Sequence, residues 1–244
     1  MTVTTTLPTP PFASMFAKPE SVGKPKSIIL YGAPGARKTS SAGSIIKVPG
    51  VQRVLYLDID NGSEVFVNDP EVFAAVQEGR INIVPIDKLA PEAFQQLQYF
   101  LGSKDAETGH FTRGEAFNPD WGYDVVILDA LDVAQEVAVD WYQANTFNEH
   151  GKLDPRKAWG EISKWTSDMA WSFQNHPTVT GIFVMHSKEG TEDNGSYKIK
   201  PKLSGSVKDS IAGVPSLVVY LGLETDPEDK DKQILVGTIG GDET

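Results

Sequence analysis

From Ser27 onward, short continuously apolar runs alternate with segments whose apolar residues recur every three or four positions. SIILYG, VLYLDID (54–60), INIVPI (81–86), YDVVILDALD, TVTGIFVMH, SLVVYLGLE and QILVGTI are runs of the first kind. A strand covered on both faces has that texture, because neither side meets water. KTSSAGSIIK, PEAFQQLQYFL and DPRKAWGEISKWTSDMAWSFQN are of the second kind and read as helices. In PEAFQQLQYFL, Pro91 lies near the start, where a missing N–H is harmless, and Phe94, Leu97 and Leu101 share a face. The longest helix is the clearest: Asp154 caps it, Pro155 opens it, and Ala158, Ile162, Trp165, Met169 and Phe173 repeat at helical spacing. Between these elements lie a polar, glycine-rich connection at 102–122, a polar loop from Ser187 to about Lys208, and the acidic turn TDPEDKDK.

Strands alternating with helices imply an α/β domain with a mostly parallel sheet covered on both faces. The last two strands are expected to turn antiparallel at one edge. Ligands of such sheets sit beyond the carboxyl ends of the strands. There the sequence places a glycine loop after the first strand, Asp58 and Asp60 after the second, Asp129 after the fourth and His186 after the fifth. Residues 1–25 are rich in Thr and Pro and read as an extended arm with apolar anchors at Phe12, Met15 and Phe16. Residues 26–244 read as one domain, with no internal repeat.

Composition narrows the function. A net charge of -11 means that the surface as a whole repels nucleic acid, so any such contact needs a local basic patch. The absence of cysteine removes disulfides and thiolate metal sites. No apolar run approaches the roughly 20 residues of a membrane span, and no secretion signal opens the chain. A cytoplasmic protein with no membrane partner is the expectation.

The chemistry begins at GAPGARKTS, residues 32–40. The pattern is that of a phosphate-binding loop, G-x-x-x-x-G-K-[ST], except that Arg37 stands where the second glycine belongs. Gly32, Ala33, Pro34, Gly35, Ala36, Arg37, Lys38, Thr39 and Ser40 would offer backbone N–H groups and a helix dipole to phosphates. Lys38 would reach the β- and γ-phosphates of ATP, and the Thr39 hydroxyl would bind Mg²⁺. If residue 37 needs a positive φ, a non-glycine residue there costs about 1–3 kcal/mol. If it needs only close approach, the guanidinium must point outward. From there it either meets solvent or neutralises phosphate charge, in its own site or a neighbouring subunit's.

Asp129 ends the apolar run VVILD and is the expected Mg²⁺ partner of Thr39. Asp58 and Asp60 end the neighbouring run. Alternation puts both on one side, so only geometry separates them, and Asp60 is favoured as the base that polarises the attacking water. Asp132 is the weaker candidate for that base. His186 is placed either to touch the γ-phosphate and pass its presence on, or to satisfy a strand-end hydrogen bond.

The order YGAPGARKT, VLYLDIDNG, YDVVILDALD, AWGEISKW and FVMHSK, followed by a basic loop and LVVYLGLE, resembles a RecA-like P-loop ATPase. More narrowly, it resembles phage nucleotide-binding proteins of the AAA type and Sak-type single-strand annealing recombinases, over roughly residues 26 to 222. The resemblance implies a RecA-like fold, ATP and Mg²⁺ as ligands, and Lys38, Asp60, Asp129 and His186 as catalytic positions. It also implies rings or filaments that pack ATP between subunits and hold single-stranded DNA. Two positions depart from the pattern: Arg37, and Asp60 where glutamate is usual.

Two further segments belong to that expectation. SYKIKPKLSGSVK (196–208) carries Tyr197, Lys198, Lys200, Lys202 and Lys208 with no acid within the run. A basic groove with a stacking aromatic suits single-stranded DNA, whereas a solvated hairpin with edge-protecting lysines would look the same in sequence. In the arm, Phe12 or Phe16 would insert into the next subunit, or the arm folds on its own domain or stays disordered. The rival functions are a nucleotide-binding assembly protein without turnover and a small-molecule kinase. A kinase needs a lid with several arginines, and the chain has few: Arg37, Arg53, Arg80, Arg113 and Arg156.

Overall fold

A computed structural model describes residues 27–105, 107–191, 197–205, 211, 213–230 and 233–239. The arm anchors Phe12, Met15 and Phe16, and also Lys208, lie outside the described residues. The elements run β1 (Ser27–Gly32), α1 (Lys38–Gly43), β2 (Val54–Asp58), α2 (Pro70–Gln77), β3 (Ile81–Pro85), α3 (Ala93–Leu101), β4 (Ser103–Lys104), β5 (Phe111–Thr112), β6 (Val125–Asp129), α4 (Leu131–Asn145), α5 (Pro155–Gln174), β7 (Thr180–Thr191), β8 (Tyr197–Pro201), β9 (Leu217–Thr225) and β10 (Gln233–Ile239).

The main sheet has the order β10-β9-β1-β7-β6-β2-β3, with β8 paired to β7. From β9 to β3 every pairing is parallel, and β10 is antiparallel to β9, as the sequence leads one to expect. Alternation divides the strand residues between two cores. Val54, Tyr56, Val125, Ile127, Ile182 and Val184 pack with Ala42, Phe66, Val72 and Ala75, on the side of α1 and α2. Leu55, Leu57, Val126, Leu128, Phe183 and Met185 pack with Phe94, Leu97, Tyr142, Ile162, Trp165 and Phe173, on the side of α3, α4 and α5. Period 2 in the strands thus meets helices on both faces, which is why the runs carry no polar alternation. The result is a mostly parallel sheet flanked by helices.

Four features depart from the expected elements. Helix α2 was not foreseen; Pro70 opens it and the Asp69 carboxylate caps it by accepting from the Glu71 and Val72 amides. Helix α4 was not foreseen either, because its apolar residues cover several faces, and even its Asp132 and Gln135 are buried. Strand β2 stops at Asp58, so strand alternation does not extend to Asp60. The polar loop from Ser187 is instead a hairpin: β7 continues to Thr191 and pairs antiparallel with β8. Its polar texture reflects its position beyond the helical layers, where strand pairing continues with exposed residues such as Lys188, Glu189 and Lys200. Among the described residues, no helix is long and apolar enough to cross a membrane.

Candidate nucleotide-binding site

The site lies where β1, β2 and β6 end beside the middle of β7, with Gly32 beside His186 and Asp58 beside Asp129 in strand register. Gly32 is held to glycine by the sheet itself: a Cβ there would come 2.2 Å from the Leu221 carbonyl oxygen on β9. The loop then turns through Gly35 at φ 82° and Arg37 at φ 54°, ψ 28°. Arg37 therefore adopts the left-handed conformation that glycine would supply, with its side chain exposed. Both alternatives raised by the sequence hold at once: the backbone is in the glycine region and the guanidinium points outward. Around it, Ala36 is buried, Ala33 half-buried, and Pro34, Gly35 and Ser40 are exposed.

Lys38 opens α1 and is buried, its Nζ donating to the Ala33 carbonyl at 2.9 Å. Burial pushes the lysine pKa down, opposed by the negative charges of Asp129, Asp132 and Asp60. Next to it, Thr39 Oγ1 donates to Asp129 Oδ2 at 2.6 Å. The same carboxylate oxygen accepts a hydrogen bond from the Tyr56 hydroxyl, which rises from β2. Burial pushes the Asp129 carboxyl above the usual carboxylate range, while the Thr39 and Tyr56 hydrogen bonds pull it back. Burial also drives the Tyr56 phenol far up, so it stays a neutral donor.

Geometry separates the two aspartates after β2. Asp58 is buried and accepts the Gly62 and Ser63 amides at 2.9 and 3.1 Å, closing the turn that follows its strand. This turn packs against the loop: a Cβ on Gly62 would stand 2.9 Å from Thr39 Oγ1 and 3.4 Å from Asp129 Oδ2. Asp60 instead faces the site opening, 3.6 Å from Lys88 Nζ and 3.6 Å from His186 Nε2. Its backbone N–H is held by the Asp129 carbonyl at 3.2 Å. The peptide bond between Asp129 and Ala130 is cis.

His186 is fixed from the other side. The buried Asp132 carboxylate accepts the His186 backbone N–H at 3.1 Å through Oδ1 and meets the ring Nδ1 at 2.9 Å through Oδ2. Lys202 completes the group: its amide donates to the His186 carbonyl at 2.8 Å, and its Nζ lies 3.0 Å from Glu136 and 3.6 Å from Asp132. The acids facing Lys202 thus come from α4 and not from its own run, which the sequence alone could not reveal. Tyr197, Lys198 and Lys200 belong to β8.

Sequence reasoning missed Tyr56, Gly62 and Lys88, and rated Asp132 low. Tyr56 left a signal, because a phenol inside the buried run VLYLD needs a partner. Asp132 left one too, as a carboxylate one turn beyond Asp129. The donor set suits Mg²⁺, which keeps several waters and takes one or two protein oxygens besides phosphates. A hydroxyl and a carboxylate already in contact, roofed by a glycine that leaves no room for a side chain, fit that role. Among the described residues, no cluster of three or more His, Cys, Asp or Glu side chains forms an all-protein metal site.

No curated protein matches this sequence. Solved structures similar to it include an ATPase from the type III secretion system of pathogenic bacteria, at 14% identity and a TM-score of 0.45, covering 80% of this chain and 51% of that one. The chain therefore spans about half the length of that ATPase. The flagellar accessory protein FlaH of Methanocaldococcus jannaschii is similar at 14% identity and TM-score 0.45, over 87% of this chain and 76% of its own. EscN from the type III secretion system of enteropathogenic E. coli is similar at 15% identity and TM-score 0.43, over 80% of this chain and 42% of its own. The sequence matches the AAA domain family AAA_24 over residues 24–240, nearly its whole length. The chain belongs to that family of AAA domains.

Proposed function

We propose that this protein binds ATP with Mg²⁺ in the loop 32–40, hydrolyses it, and works as an oligomer on single-stranded DNA in recombination or annealing. One observation carries the nucleotide reading: the Lys38 ammonium and the Thr39–Asp129 pair meet at the mouth of β1 and α1, beside left-handed Gly35 and Arg37. Lys38 holds its place on the Ala33 carbonyl and exchanges that partner for phosphate oxygens. Thr39 and Asp129 would hold Mg²⁺, which when bound supplies charge neutralisation at the phosphates. Tyr56 and Gly62 keep Asp129 and Thr39 in place. Asp60 and His186 face the same opening and belong to the hydrolytic step.

The DNA reading is supported by the hairpin. In strand register Lys188 opposes Lys200, and Gly190 opposes Lys198, on the hairpin that continues directly from His186. In a chain of net charge -11 the lysines of this hairpin are a local source of positive charge for a phosphate backbone.

Steady-state ATP hydrolysis with and without single-stranded DNA, together with mass in solution, tests the reading. Turnover stimulated by DNA and abolished by Lys38→Ala is the expected result. The second reading, nucleotide-dependent assembly without turnover, is favoured by Asp60, which is short and held beside Lys88. It predicts a mass increase with ATP and no phosphate release.

A further inference from the structure

We propose that His186, held by Asp132, is the proton acceptor of the hydrolytic step, with Asp60 as its electrostatic partner. This rests on the reading of the protein as an ATPase. Asp132 grips one residue twice, through its backbone N–H and its ring Nδ1, with one carboxylate oxygen each. It is buried, and both its oxygens face donors, the His186 amide at Oδ1 and Lys202 Nζ 3.6 Å from Oδ2, so towards the ring it acts as acceptor. Nδ1 must then carry the hydrogen. In the neutral ring this leaves the lone pair on Nε2, which faces Asp60 and the opening beside Gly32. A carboxylate that fixes the tautomer and orientation of a basic imidazole is the arrangement needed for general-base work near neutral pH.

Asp60 is less suited to that role. It lies between Lys88 and His186, each at 3.6 Å, and its side chain is one methylene shorter than glutamate. The two distances exceed a direct hydrogen bond, and a water seated in the opening beside the pair would meet His186 Nε2. In the proposed step an O–H bond of that water breaks and its proton goes to His186 Nε2. The water oxygen bonds to the γ-phosphorus of ATP, and the bond from that phosphorus to the bridging oxygen breaks, releasing ADP. The imidazolium so formed lies between Asp132 and Asp60. Glu136 and Lys202 on the Asp132 side, and Lys88 and Lys38 on the Asp60 side, are the other charged groups around it. Asp132 is a positioning residue, and His186 is the group that meets the water.

The first test is the tautomer, read by ¹⁵N NMR of the four histidines in nucleotide-free protein at pH 8, with His186→Asn providing the assignment. His186 should be the Nδ1–H form. His176 is an internal control of the opposite kind, because its Nδ1 accepts the Thr178 and Val179 amides. An Nε2–H or doubly protonated His186 overturns the proposal. The second test is kinetic. His186→Asn should lower kcat about 100-fold or more with nucleotide affinity within threefold, and Asp60→Asn should lower it less. Asp132→Asn should lower kcat about tenfold and change the His186 ¹⁵N shifts, again at unchanged affinity. A larger loss from Asp60→Asn, or full activity in His186→Asn, overturns the dyad while leaving the ATPase reading intact. Wild-type protein that binds ATP without turnover, even with the predicted tautomer, overturns both.

Discussion

Replacing Arg37 by glycine tests the phosphate loop at its most unusual residue. Arg37 sits at φ 54°, ψ 28°, in the left-handed region, and its exposed side chain has no packing to lose. Holding a non-glycine residue there costs about 1–3 kcal/mol. Glycine removes that strain but gives the unfolded chain more freedom, worth about 0.5–1 kcal/mol against the variant. The difference is a net stabilisation of about 1 kcal/mol, or a melting temperature about 2–4 °C higher for a chain of this size. Thermal unfolding without nucleotide measures this directly. The same loop conformation should persist, so affinity for a fluorescent ATP analogue with Mg²⁺ should stay equal or tighten. A lower melting temperature would refute the backbone argument. A tenfold weaker affinity at unchanged stability would instead place the guanidinium among the phosphate-binding groups.

Three other outcomes follow from contacts around Asp129. Tyr56→Phe removes a buried hydroxyl donated to a carboxylate and should cost about 1.5–3 kcal/mol of stability, with weaker Mg²⁺-dependent nucleotide binding, measured by denaturant unfolding and by Mg²⁺ titration. Gly62→Ala puts a methyl group 2.9 Å from Thr39 Oγ1 and should weaken Mg²⁺·ATP binding about tenfold while leaving Mg²⁺-free nucleotide binding nearly unchanged. Because burial raises the Asp129 pKa in the folded state, its ionised form opposes folding above that pKa, and the penalty is relieved as pH falls through it. Protonation also removes a metal ligand. Mg²⁺ affinity should therefore fall with pH earlier than for an ordinary carboxylate, and Asp129→Asn should abolish that part of the dependence.

The sheet was legible because it is buried on both faces. Runs such as VLYLD and VVILD have every residue inside, which leaves an unambiguous apolar signature. Helix α5 was legible because its buried residues, from Ala158 to Phe173, keep strict helical spacing beneath a capped start. Helix α4 escaped because its buried set includes Asp132 and Gln135, whose partners are His186 and Ser204, far along the chain. The site divides in the same way. Lys38, Thr39 and Asp129 come from local motifs, and they do converge. The contact of Tyr56 with Asp129, the Gly62 roof over Thr39 and the grip of Asp132 on His186 each join distant segments, and only the strand order brings them together. Lys202 shows the converse: its run holds no acid, yet α4 supplies one across the fold.

Calorimetric titration of the folded protein with ATP, in the presence and absence of Mg²⁺, bears most directly on the central claim. Saturable uptake that strengthens with Mg²⁺ and disappears in Lys38→Ala is predicted. Absence of saturable uptake, or an unchanged isotherm in Lys38→Ala, would contradict the assignment of residues 32–40 as the triphosphate site.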